Sequence, residues 1–276
     1  MTTIHTNPGA LVAQATLRTI SDQLDRVSKQ VQTGYRVADA KDDASTFAVA
    51  QGLRNSISSL GAVQQGLSSA VGLAEVGLAG ATAVSNLFTQ IKAKVTQLAD
   101  SSISASQRTT YTSDLLALSV QAKSLISQAS FNGTKLLTNT TAVNFIADVN
   151  GGTVQVTGVN VSAAALTFFN SANAAITSTA AQAQLSAAGS TLNAFINKTN
   201  EALSGIASNL RAVEAQNNFV KSISDATEKG LGSLVDADLA KASSKLQALQ
   251  AQQQLSTQAI TIANQAPSVL LALFKQ

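Results

Sequence analysis

Residues 192–220 read LNAFINKTNEALSGIASNLRAVEAQNNFV, and their seam positions alternate in steps of four and three: Leu192, Ile196, Thr199, Leu203, Ile206, Leu210, Val213, Asn217 and Val220. That spacing places a single stripe on one face of an α-helix. Held over successive heptads, it is the pattern of a helix lying along another helix. Asn217 is a polar interruption, which either sets register at a cost in stability or marks a partly exposed position.

Working outward, the same rhythm recurs three times towards the N-terminus. Tyr111, Leu115, Leu118, Ala122, Leu125 and Ala129 form one stripe, closed by Phe131, Asn132 and Gly133. Before it, across a reversal at residues 100–106, Leu53, Ile57, Leu60, Gln64, Leu67, Val71, Ala74, Leu78, Leu87, Ile91, Val95 and Leu98 read as a longer helix, with Gln64 as its polar interruption. Gly61, Gly66, Gly72, Gly77 and Gly80 fall inside this pattern. They either break the helix or let a neighbour approach its backbone closely. At the start of the chain Leu17, Ile20, Leu24, Val27 and Val31 make a stripe that stops at Thr33 and Gly34. Asp42 and Asp43 then stand where the second helix begins, favourable at the positive end of its dipole.

The middle follows another period. Residues 142–149 and 153–161 alternate apolar and polar around Asn150, Gly151 and Gly152, the signature of a β-hairpin. Residues 171–190, rich in Ser, Thr and Ala, read as a loop or a loosely packed helix. The expected fold class is mainly α, a long antiparallel helical bundle or coiled coil with a small β-hairpin region in the middle.

Composition narrows the function. Of 276 residues 45% are hydrophobic, 12% charged and 4% aromatic, so the core is aliphatic and suits helices packed side by side. The net charge is +3 and the pI about 9.2, yet Lys and Arg are scattered among acids, and no basic stripe for nucleic acid forms. No run reads as a membrane span, and the N-terminus lacks the pattern of a secretory signal peptide. With one His and no Cys, a two-His zinc motif and a Cys/His dyad are excluded. The close acidic pairs, Asp42 with Asp43 and Asp236 with Asp238, suit helix starts or inter-helix hydrogen bonds better than catalysis. No enzyme activity, cofactor or metal is expected. Both chain ends are apolar and uncharged: residues 246–274 carry no charge and residues 1–17 only His5, which suggests surfaces buried against each other and against other copies.

Ile4, His5, Thr6 and Asn7 with Ala10, Leu11, Ala13 and Gln14 resemble the N-terminal opening of a known family, the bacterial flagellins. The run 31–44, with Gly34, Arg36, Asp42 and Asp43, is similar to its Gly-x-Arg and Asp-Asp signature, and Phe131, Asn132 and Gly133 to the motif closing its N-terminal region. Asp236 and Asp238, then Asn264, Gln265 and Pro267 in a tail ending Leu270 to Phe274, resemble its C-terminal motifs.

The resemblance implies a structural subunit that polymerises with itself into the flagellar filament for motility, outside the cell. Residues 1–40 and 235–276 would pair as an inner coiled-coil domain, through Leu17, Ile20, Leu24, Val27 and Val31 against Leu239, Leu246, Leu249, Ile260 and Leu270. Residues 41–234 would form a helical shell domain with the hairpin region at about 138–170 and no outer variable domains. Expected partners are an export chaperone, the type III export apparatus without signal cleavage, and hook-junction and cap proteins, with no nucleic acid and no membrane insertion. A hook-filament junction protein of the same superfamily is the alternative, and a secreted helical effector or hydrolase is the alternative from another class. At the positions where receptor-activating flagellins carry Arg, Leu and Glu, ungapped counting back from Phe131 finds Gln90, Lys94 and Asp114, which implies weak or absent Toll-like receptor recognition.

Overall fold

The computed structural model describes residues 7–173 and 176–273, and their side chains except those of 173 and 266–273. Among the described residues the elements run α1 (Pro8–Thr33), α2 (Ala44–Ala99), α3 (Ala105–Gln128), β1 (Val143–Ile146), β2 (Thr153–Val156), α4 (Val161–Asn173), α5 (Ser178–Ser186), α6 (Thr191–Val235) and α7 (Leu239–Leu273). The chain is thus mainly α with one two-stranded sheet. It divides into two units, Met1–Ile57 with Ala226–Gln276, and Ser58–Asp225.

In the unit of residues 58–225, α2 and α6 run antiparallel: Phe88 meets Phe195 edge to face at 5.0 Å, while Gly77 lies beside Ile206. Along α6 one column of the expected seam, Leu192, Thr199, Ile206, Val213 and Val220, is fully buried. The other column, Ile196, Leu203 and Leu210, is only half-buried, and Phe195 and Ala202 are buried beside the first. The buried stripe is displaced because α6 receives α4 as well as α2: Phe168 and Phe169 close on Phe195 at 6.3 and 5.7 Å. Asn217 and Gln64 are both half-buried. Thr199, buried within the seam, donates its hydroxyl to the Phe195 carbonyl, so its polarity is satisfied inside the helix.

The glycines of α2 do not break it. A β-carbon at Gly80 would lie 2.5 Å from that of Ala129, and one at Gly77 would lie 2.9 Å from Leu136 Cδ1, while Gly72 faces the Phe131 ring. Here the segment after α3 presses against the helix backbone. Gly61 and Gly66 face open space. By length and hydropathy α2 also passes for a membrane-crossing helix, against the sequence expectation. Its apolar side chains are Leu67, Leu73, Val84 and Ile91 in the core, and its other face is Ser58, Gln65, Ser69 and Glu75 exposed, so the hydropathy comes from burial on one side.

At the reversal after α2, Ser104 and Gln107 form a capping box. Arg108 donates to the carbonyls of Leu98 at 2.8 Å, Ile176 at 3.1 Å and Asp100 at 3.1 Å, satisfying a helix C-terminus and holding the stretch before α5. The hairpin is shorter than its alternation suggests, pairing Val143 with Val156 through Ile146 with Thr153. It stops because Gly158 passes against the Leu136 and Asn139 carbonyls, and the amides of Val159 and Val161 turn to Leu136 and Leu137. Residues 171–190 are largely helical, as the end of α4 and as α5.

The two kinds of glycine respond oppositely to substitution. Gly80→Ala destabilises the protein by about 1–3 kcal/mol through overpacking against Ala129 and Leu137. Gly66→Ala, in open space within the helix, stabilises it by about 0.5–1 kcal/mol. Urea titrations of the two variants read both signs.

Candidate assembly surface

In the other unit, α1 and α7 pair antiparallel. The Asn7 side chain caps α1, accepting from the Ala10 amide at 3.1 Å, and donates across to the Ala263 carbonyl at 2.7 Å. At the opposite end Tyr35 and Asp236 form an antiparallel bridge. Ile20, Val27, Ala242 and Leu249 are buried between the helices, with Leu24, Val31 and Leu246 partly buried against them. The inward residues of α7, Ala242, Leu246, Leu249, Gln253, Ser256, Ile260 and Ala263, step by four and three, as do Ala10, Ala13, Leu17, Ile20, Leu24, Val27 and Val31 of α1.

Most of the proposed seam residues are therefore brought together. Leu239 is not: it is the first residue of α7 and 51% exposed, outside the buried cluster. The side chain of Leu270 lies outside the described residues, as do Ile4, His5, Thr6 and Phe274 of the family motifs. Towards the chain ends the seam becomes smaller and more polar, and a groove of about 510 Å3 opens, lined by Ala10, Leu11, Leu17, Ile260, Asn7, Gln14 and Asn264. On the outer faces Leu11, Val12, Leu255 and Ile262 are 61 to 68% exposed. Sequence periodicity found the inner seam. Leu255 and Ile262 lie seven residues apart, on a second apolar face of α7 that the inner seam does not use.

Gly34, at φ +74°, ends α1 in the left-handed conformation and returns its amide to the Gln30 carbonyl. The Arg36 amide then donates to the Val235 carbonyl at 2.7 Å, the Ala237 amide donates to the Gly34 carbonyl at 2.8 Å, and the Arg36 guanidinium reaches the Leu234 carbonyl. The neighbouring acids divide the remaining work. Asp43 caps α2, accepting from the Ser45 and Thr46 amides and the Thr46 hydroxyl. Asp42 instead accepts from the Ala38 and Asp39 amides and from Lys29, which also pairs with Asp39. Asp238 caps α7 through the Ala240 and Lys241 amides. Hydrogen bonds to the ionised form lower two of these carboxyls: the Thr46 hydroxyl and amide hold Asp43 below the ordinary value, and the Lys29 ammonium does the same to Asp39.

In the unit of residues 58–225, the three receptor-comparison positions meet in one groove between α2 and α3. Lys94 Nζ lies 2.7 Å from Asp114 Oδ2 and 5.3 Å from the centre of the Tyr111 ring. Gln90, Ala93, Ala117, Leu118 and Gln121 complete a groove of about 400 Å3. Phe131, Asn132 and Gly133 form a tight turn with Asn132 at φ +47° and Gly133 at φ +79°, closed by a two-way backbone pair between Phe131 and Thr134. The turn delivers the Phe131 ring to Gly72.

Two sequence profiles match the chain: "Bacterial flagellin N-terminal helical region" over residues 4–142, and "Bacterial flagellin C-terminal helical region" over residues 190–274. It is similar to flagellin FljM of Caulobacter vibrioides, at 31% identity over 100% of this chain and 99% of that one. It is also similar to a flagellin of Brucella melitensis, at 30% identity over the whole of both chains. Among solved structures, a putative flagellar hook-associated protein of Vibrio parahaemolyticus has the same fold, with a TM-score of 0.57 at 12% identity over 71% of this chain and 100% of that one.

Because the Asp43 carboxyl titrates below its ordinary value when folded, its stabilisation is complete above that ordinary value and is lost as pH falls through the depressed one. Asp43→Ala therefore lowers Tm at neutral pH, and the gap from the parent protein closes on acidification below the usual carboxylate range. Calorimetric melts across that range check it.

Proposed function

The chain belongs to the bacterial flagellin family and is a structural subunit of the flagellar filament; on that premise, we propose that its paired terminal helices are the device by which it polymerises. The carrying observation is the α1–α7 pair, whose inner seam is closed by Ile20, Val27, Ala242 and Leu249 while its outer face leaves Leu11, Val12, Leu255 and Ile262 in water. Burying those four against neighbouring copies removes apolar surface worth about 25 cal/mol per Å2. The repeat of one such contact in a head-to-tail sense yields an open polymer with no closure. The absence of charge from residues 246–274 supports this, since an unpaired charge in that lattice would be expensive.

In this reading residues 1–40 and 235–276 form the inner domain and residues 41–234 the shell, with the hairpin, α4 and α5 where larger members carry outer domains. The chain is exported by the flagellar type III apparatus with a chaperone and without signal cleavage, meets hook-junction and cap proteins, and performs no catalysis. Asp43 and Asp238 are engaged as helix caps and Asp42 in an ion pair with Lys29, which supports the last point. Lys94 in salt bridge with Asp114 presents a self-neutralised pair where receptor-activating relatives carry Leu and Glu, and Gln90 offers no cation in place of their Arg. Recognition by the flagellin-sensing Toll-like receptor is therefore weak.

Seeded polymerisation tests the first reading. The full chain elongates seeds into filaments, and a chain ending at residue 245 does not; filaments from the shortened chain would refute the role of α7. In a receptor reporter assay the purified monomer gives little signal, and Gln90→Arg with Lys94→Leu raises it. Potent activation by the unaltered protein would refute the receptor reading.

A further inference from the structure

We propose that Asn150, at the tip of the β1–β2 hairpin, is a site of spontaneous deamidation, and that the fold directs this chemistry to Asn150 and away from Asn132. The dipeptide Asn-Gly occurs twice in the chain, as Asn132 with Gly133 and as Asn150 with Gly151. Glycine has no β-carbon to hold its nitrogen off the preceding side chain, so the two groups can meet. Solvent base removes the proton of the Gly amide, its nitrogen attacks the Asn Cγ, a C–N bond forms, and the side-chain nitrogen departs as ammonia. The succinimide ring left behind adds water at one of its two carbonyls and opens to an aspartyl or an isoaspartyl residue. Water is the one co-reactant, and nothing is oxidised or reduced.

By sequence the two sites are equal, and all four residues are exposed. The difference lies in what each turn is fastened to. Ring closure requires the main chain at Asn to swing until its Cγ meets the next nitrogen. Asn132 at φ +47° and Gly133 at φ +79° hold consecutive left-handed conformations. Across them the amides of Phe131 and Thr134 each donate to the other's carbonyl at 2.9 Å. On one side of this turn the Phe131 ring lies against Gly72 of α2, and on the other Leu136 and Leu137 are buried. A swing at Asn132 therefore breaks both backbone bonds and pulls on core side chains.

The hairpin tip is fastened by one side chain. Beyond the last ladder pair, Ile146 with Thr153, the amides of Asn150 and Gly152 both donate to Asp148 Oδ1, at 2.7 and 2.9 Å. Val149, Asn150 and Gly151 all stand in water. Opening this tip releases Asp148 and disturbs no core packing, so the tip samples the reactive geometry far more often. The isoaspartyl product carries an extra methylene in its main chain, which moves the Gly152 amide off Asp148 and sets a second carboxylate beside the first. The Ala147 amide, which donates to the Gly152 carbonyl at 2.7 Å, loosens next. At the far end Val143 stays paired with the buried Val156, so the hairpin survives with a frayed tip. Conversion runs one way because the ammonia is lost, and the converted fraction records the time since synthesis.

Peptide mass mapping of the full chain, held as monomer at mildly alkaline pH with and without guanidinium chloride, follows both sites at once. In denaturant they convert at similar rates. In the folded protein Asn150 converts about tenfold faster than Asn132, and hydrogen exchange of the Ala147 and Gly152 amides quickens in the isoaspartyl form. Asn150→Gln, whose longer side chain closes a ring far less readily, abolishes conversion at that position and leaves Tm unchanged. Asp148→Ala frees the tip and raises the rate at Asn150 without changing that at Asn132. Equal rates at the two sites in the folded protein, or a faster rate at Asn132, would overturn the proposal. So would a folded protein that converts at neither site over a time in which the denatured chain converts at both. Each of these results leaves the filament reading untouched, because the monomer alone is measured.

Discussion

Three missing β-carbons on α2 govern how the unit of residues 58–225 is assembled. At Gly72, Gly77 and Gly80 the helix backbone is open enough for Phe131, Leu136 and Ala129 with Leu137 to lie directly on it. That contact fixes residues 129–137 against the helix. The fixed segment then offers the carbonyls of Leu136 and Leu137 to the amides of Val159 and Val161, which ends the hairpin and starts α4. Through Phe168 and Phe169, α4 in turn determines which face of α6 is buried. Local helix propensity is sacrificed at each glycine, and the close packing it allows organises elements far away in sequence.

The helices were legible because a stripe of apolar residues survives in any helix that buries one face. Thr33 with Gly34 and Asp43 were legible for a related reason, since stops and caps use the chain's own neighbouring atoms. What the stripe could not convey was the number of partners. A helix packed on one neighbour buries two columns, whereas α6 meets both α2 and α4, so Phe195 and Ala202 became core while Ile196 and Leu203 moved to its margin. Alternation likewise carried the second strand past Val156, because period two continues in the sequence even where a long-range backbone contact at Gly158 removes the ladder.

The surface of the terminal helices was half legible for the same physical reason. Ile20, Leu24, Val27, Leu246 and Leu249 form an inner seam that shows its period. Leu11, Val12 and Phe219 stand outside any seam and only their exposure reveals them, while Leu255 and Ile262, seven residues apart, share a second face of α7 whose outward direction only the structure gives. The receptor positions were located by resemblance alone. Their joining by the Lys94 and Asp114 ion pair could not be inferred from either residue separately.

The clasp where Arg36 and Ala237 exchange backbone hydrogen bonds with Val235 and Gly34 has a consequence for how such a subunit can vary. Main-chain bonds do not depend on side-chain identity, so the alignment of α1 with α7 is pinned at this end whatever residues decorate the pair. The outward faces are then free to be repainted, with other sizes and polarities, without the two helices sliding past one another. Closely related subunits sharing this clasp could be mixed in one polymer, each presenting a different exterior on a common internal gauge.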